Sequence, residues 1–128
     1  GYYWAPVDPR QAAPGDGLAH FQDDRALLRV RTDRLEQQGV IPQTPPSRTN
    51  RIVGNVRILA ESPEIVVRSA LHVVEYRVRR GEPADDERLH AATVRHCLAT
   101  SPDGFRIRWK RVDLVNAGAA LRVISIPL

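Results

Sequence analysis

The sequence predicts an α+β domain: a long, strongly bent, mostly antiparallel β-sheet wrapped around a helix. Three observations predict it. Beyond residue 47, apolar residues recur at alternate positions in runs bounded by turn residues, the pattern of strands. One stretch near residues 24–37 alone carries helical spacing and helix punctuation. Within two of the strand-like runs the alternation changes phase, which requires an extra residue, and β-bulges of this kind bend sheets.

Tyr2-Tyr3-Trp4-Ala5-Pro6-Val7 reads as a first strand. It is apolar from the outset, whereas termini are usually polar and frayed, so a preceding portion is expected to cover it. Asp8 to Gly17 is rich in Pro, Gly and Asp and reads as an exposed loop. Asp23 or Asp24 then N-caps a helix, its carboxylate accepting from a free backbone N–H. Leu27, Leu28, Val30 and Leu35 form a partial apolar stripe, and Gly39 suits the position after the helix. Ile41 to Ser47 holds three prolines and reads as a rigid, irregular connection.

Strands are then expected over Arg51–Ala60, Ile65–Arg79, His90–Leu98, Phe105–Val115 and Ala120–Leu128. Gly54 marks a bulge or a close approach. Ser62-Pro63-Glu64, Gly81 to Asp86, Ser101 to Gly104 and Asn116-Ala117-Gly118 separate the runs. Phe105, Ile107 and Trp109 alternate with Arg106, Arg108 and Lys110, and beyond Arg111 the apolar set moves to Val112 and Leu114. A bulge near Lys110–Arg111 is therefore expected. Phe105, Ile107 and Trp109, with Trp4, are the expected core, and Arg106, Arg108 and Lys110 the opposite, interface-rim face.

The 128 residues suit one domain with a single core. No apolar run approaches the ~20 residues that span a membrane, and no secretory signal pattern is present. A single cysteine, Cys97, fits a reducing, cytoplasmic setting. The formal charge is +4, and all but one of the 19 basic residues are arginine. Arginine suits interfaces because its guanidinium pairs bidentately with carboxylates. No basic run tracks a phosphate backbone, which places nucleic-acid binding second.

The stretch Pro45-Pro46-Ser47-Arg48-Thr49, followed by Val53-Gly54-Asn55-Val56, matches no catalytic or metal motif. With Tyr3-Trp4-Ala5-Pro6-Val7, His20 to Val30, Phe105-Arg106-Ile107, Lys110 to Leu114 and Ile124 to Leu128, it resembles the small (beta) subunit of Rieske-type aromatic-ring-hydroxylating dioxygenases. The resemblance runs in order along nearly the whole chain. It implies a cone-shaped bent sheet of the nuclear-transport-factor-two-like kind. The family's two helices upstream of the Tyr-Trp strand lack a counterpart here. At Asn50-Arg51 the family often shows a basic residue and then histidine, and Gly54 replaces a common serine.

The resemblance implies a non-catalytic structural subunit. The Rieske cluster and mononuclear iron are expected in a large (alpha) subunit, and the assembly is expected to be a hexamer with a trimer of small subunits. Ser47, Arg48, Thr49 and Asn55 become candidates for structure or subunit contact: Arg48 through fixed hydrogen bonds, Asn55 by satisfying backbone groups at a bulge.

The residues themselves give little chemistry. A Rieske centre takes two cysteines and two histidines, and one cysteine is present. Of His20, His72, His90 and His96, His20 is expected in a loop, and the last two share a strand face but lie ~20 Å apart. Cys97 and His96 point to opposite faces. The rival function is a stand-alone cone-fold isomerase or dehydratase, with Asp113, His72 or Glu75 as a general base raised in pKa by an apolar pocket. Against it, Asp113 shares its side with Arg111, and Glu75 shares its face with Arg77 and Arg79, which points to a surface ion pair.

Overall fold

The structure is a computed structural model that describes residues 1–37, 46–78, 86–119, 124, 126 and 128. Six strands form one sheet: β1 (Tyr2–Pro6), β2 (Ala19–Asp24), β3 (Arg48–Ala60), β4 (Ile65–Arg77), β5 (Asp86–Ser101) and β6 (Gly104–Leu114), with helix α1 (Arg25–Glu36) after β2. Their order is β2-β1-β6-β5-β4-β3. Every neighbouring pair is antiparallel except β1 and β6, which run parallel. The expected final strand over Ala120–Leu128 lies largely outside the described residues. Of it, Ile126 and Leu128 are buried in the core and Ile124 packs against it.

The core lies on one face of the sheet. Leu71 stands opposite Ala92, and Ala92 opposite Leu114; Val94 stands opposite Val112. Directly opposed side chains share a face, and these join Tyr3, Ala5, Phe21 and Val73 in one buried cluster. The helix begins where the N-cap rule requires: the Asp24 carboxylate accepts from the Leu27 N–H at 2.8 Å. It packs against β1 and β2, with Leu28 against the core.

Strand β2 is absent from the sequence reading. Its inward positions are Phe21 and Asp23, so a buried acid hides the apolar alternation. Asp23 forms an ion pair with Arg31 of α1, Nε to carboxylate 2.6 Å, while neither of its oxygens has a hydrogen-bond partner among the described residues. His20 therefore sits on a strand, its Nε2 3.0 Å from the Ala117 carbonyl, rather than in a loop. Strand β5 runs beyond its predicted 90–98 at both ends, because the polar Asp86-Glu87-Arg88 segment pairs with Glu75, Tyr76 and Arg77.

Bulges interrupt the ladders near Gly54 and near Lys110–Arg111, with shifted positions, while the phase change expected after Val123 lies outside the described residues. On β6, Trp109 stands opposite Cys97 and Ile107 opposite Leu98, so the extra residue is Arg108, ahead of the expected Lys110–Arg111. On β3, Gly54 is opposite Ala70 and Arg57 opposite Arg68, so Asn55 and Val56 face Ser69 alone. Asn55 adopts φ 49°, the left-handed region that asparagine tolerates better than most residues.

The β6 bulge overturns the expected face assignment. Trp109 falls on the reverse face, half-buried and stacked on Tyr2 at 6.5 Å between centroids. Phe105 and Ile107 stay on the core side but lie beyond its covered part, 65% and 56% exposed. Lys110 turns to the core side, over the Tyr3 ring at 5.5 Å, and donates to the Leu128 carbonyl. Trp4 is buried, but on the reverse face, against Arg111.

Candidate functional site

The Ser47-Arg48-Thr49 phrase leads directly into β3, at the edge of the sheet. Ser47 Oγ donates to Glu75 Oε1 of β4 at 2.7 Å. The other carboxylate oxygen meets His90 Nε2 of β5 at 3.1 Å. Glu75 is 0% exposed, and Arg88 stands opposite it on β5. This corrects the expected surface ion pair with Arg77: strand alternation puts Glu75 inward with Leu71 and Val73. Arg79 lies outside the described residues. The sequence signal was available, because Val73, Glu75 and Leu71 share one parity with the core, but a charged residue there reads as solvent-facing.

Both oxygens of Glu75 are thus engaged by side chains of the same chain. A general base must be within reach of a substrate proton, and this carboxylate is closed off. The other two candidate bases are placed differently. His72 is exposed on the reverse face. Asp113 accepts from Arg111 Nε through Oδ1 at 2.8 Å, and its Oδ2 is buried without a hydrogen-bond partner among the described residues.

Arg48 lies over the Tyr76 ring at 5.2 Å and is exposed. Thr49 Oγ1 accepts from Arg51 at 3.0 Å. Asn55 is exposed in the β3 bulge. Arg106 is exposed and opposite Ala99. Arg108, the bulge residue, pairs with Glu64. The structure therefore disperses the predicted candidates: Ser47, Arg48 and Thr49 cluster at the start of β3, and Arg106 and Arg108 sit on β6, three strands away in the sheet order.

Burial sets the titration of several groups. Burial, against the pull of the Leu128 backbone bond, pushes the Tyr3 hydroxyl up to about 12. Burial and the adjacent Glu64 carboxylate push the Cys97 thiol up to about 11; its Sγ donates to Glu64 Oε2 at 2.9 Å. Such a thiol is held neutral and unreactive. Burial, then Lys110, lowers His96, and burial, then Arg51, lowers Lys110. Among the described residues no group of three His, Cys, Asp or Glu side chains converges to hold a metal. One cysteine cannot furnish a Rieske centre.

Residues 2–119 match the family described as ring hydroxylating beta subunit. The chain belongs to that family. This beta-subunit chain is 42% identical over 74 residues to the small oxygenase component of the p-cumate 2,3-dioxygenase system of Pseudomonas putida; the match covers 57% of this chain and 40% of that protein. In fold it is similar to the beta subunit of the benzoate 1,2-dioxygenase from Burkholderia mallei, at TM-score 0.58 and 20% identity, over 90% of this chain and 70% of the other. It is also similar to a structure of naphthalene 1,2-dioxygenase with indole bound in its active site, at TM-score 0.59 and 16% identity, over 88% and 61%. The matched stretch thus spans well under half of the curated relative. The α+β, cone-type fold that the resemblance implies is the fold shared with these structures.

The surface residues that sequence reasoning missed are apolar. Val53 and Ile58 on the core side, and Ile52, Val74 and Leu89 on the reverse face, are exposed together with Phe105 and Ile107. Alternation assigns such residues inward; it cannot say which part of a sheet is left uncovered.

Proposed function

We propose that this chain is a non-catalytic structural subunit of an aromatic-ring-hydroxylating dioxygenase, working in the cytoplasm. It scaffolds large subunits that carry the Rieske cluster and the mononuclear iron, as a trimer of small subunits within a hexamer. The observation that carries this reading is the family match over residues 2–119. Two structural features support it. The one fully buried carboxylate among its candidate bases is closed by Ser47 and His90. The sheet also exposes apolar residues on both faces, as surfaces made for partners do. Ser47 serves the chain's own fold, whereas exposed Arg48, Arg106 and Arg108 are available to a partner. In the described residues no helix is long and apolar enough to cross a membrane.

Native mass and iron content of the coexpressed complex test the proposal. The expected result is an iron-containing assembly in which this chain, purified alone, holds no iron and turns over no aromatic substrate. Turnover of activated ketones by the isolated chain would instead establish the stand-alone enzyme.

A further inference from the structure

Arg57, Arg68 and Arg95 stand directly opposite one another on β3, β4 and β5, and Arg95 stands opposite Arg111 on β6. Opposed residues of antiparallel strands share a face, with Cβ atoms ~4.5–5.5 Å apart. Four guanidinium groups therefore cross four neighbouring strands in one row on the reverse face. Arg111 is fully provided for. It is buried, stacks on Trp4 at 4.5 Å, binds Asp113, and donates to the Gln11 and Pro9 carbonyls at 2.6 and 2.7 Å. The loop after β1 thus covers that end of the row.

The other three have no such provision. Arg57 and Arg68 are exposed and Arg95 is half-buried, and none of them bonds to a described residue. Like charges directly opposed destabilise a sheet, so the row costs the isolated chain stability. The β3 bulge creates it. Without the extra residue, Arg57 would share the side of Val53, which faces Leu71 of the core; with it, Arg57 aligns with Arg68. Beside the row on the same face lie the small Gly54 and Ala70, then the exposed Ile52, Val74 and Leu89. Arginines bordering an apolar patch fit the composition of a protein interface.

We propose that this bare face of β3–β5 docks the large oxygenase subunit, with a strip of Asp and Glu carboxylates laid along Arg57, Arg68 and Arg95. The proposal rests on the small-subunit reading above. Guanidinium groups pair bidentately with carboxylates. A second copy would be a poor occupant: a two-fold contact would set the row against itself, and around a three-fold axis the neighbouring copy would bring its own net charge of +4 to the row. The apolar patch favours a protein over a phosphate backbone.

The test uses the full chain coexpressed with its large subunit. Assembly is measured by sedimentation velocity at low and high salt for wild type, Arg68→Glu and Arg68→Lys. Arg68→Glu is expected to weaken assembly by about 100-fold, Arg68→Lys by under about 10-fold, and wild-type affinity to fall with salt more steeply than that of Arg68→Glu. The isolated chain with Arg68→Gln is expected to melt no lower than wild type. Equal assembly of wild type and Arg68→Glu would overturn the docking face and leave the small-subunit reading intact. Failure of wild type itself to assemble would instead sink that reading. The docking face is also overturned if Arg68→Glu dissolves only a homo-oligomer, or if it abolishes binding to a 20-base-pair duplex DNA while oxygenase assembly persists.

Discussion

Replacing Glu75 with alanine removes a fully buried carboxylate from between Ser47 and His90. Three losses combine. The Ser47 hydroxyl at 2.7 Å loses its acceptor, and hydrogen bonds to charged groups contribute about 1.5–3 kcal/mol. His90, with 11% of its side chain exposed, loses its hydrogen-bond partner at 3.1 Å, and a buried polar group left unsatisfied costs about 1–3 kcal/mol. A void also opens beside Val73. The contributions overlap, so a total of about 3–5 kcal/mol is expected. Urea unfolding followed by circular dichroism reads it: with a slope near ~1.5 kcal/mol/M, the midpoint falls by about 2–3 M. Glu75→Gln keeps the shape and the acceptor for Ser47, and should lose about half as much. A double-mutant cycle with Ser47→Ala should give a coupling of about 1 kcal/mol, the size found for residues in one network. A loss below about 1 kcal/mol for Glu75→Ala would refute the reasoning, because a carboxylate so cheaply removed cannot be holding the start of β3 to β4 and β5.

Two further outcomes follow from the same geometry. Trp4→Ala should cost about 3–5 kcal/mol, as for a buried aromatic, and Trp109→Ala only about 1–2 kcal/mol, since Trp109 keeps just its stacking on Tyr2; equal costs in thermal unfolding would mean that the bulge at Arg108 is misplaced. For pH, the Tyr3 hydroxyl is raised from 10.0 to about 12 by burial. The unfolded chain then releases this proton first, so stability falls as pH rises from 10 to 12 and is unaffected below that window. Tyr3→Phe should remove up to about 2–3 kcal/mol of this alkaline loss, measured as the difference between the two urea-unfolding profiles; identical profiles would show that Tyr3 is open to solvent.

Much of the fold was legible. The strands from β3 onward, the Asp24 cap and the bulge in β6 follow from alternation, turn residues and capping chemistry, and the β3 bulge from Gly54, all of which act over a few residues. Strand β2 was not, because its inward Asp23 is rendered burial-compatible by Arg31, a partner supplied by the next element. Glu75 was assigned to the surface for the same reason: its partners lie on the approach to β3 and on β5. The candidate interface was legible only in type, as an excess of arginine.

The sequence by itself determined that this chain is an arginine-rich α+β domain with one cysteine, built on long bent strands, and the Ser47-Arg48-Thr49 phrase and its neighbours carried its family resemblance. Tertiary structure alone decided which face each residue of β3 and β6 presents. Displacing a bulge reverses the side chains between its expected and its actual position, and local alternation cannot fix where the extra residue sits. That is why Trp109 and Lys110 changed sides, and why Arg57, Arg68 and Arg95, far apart in sequence, stand in one row.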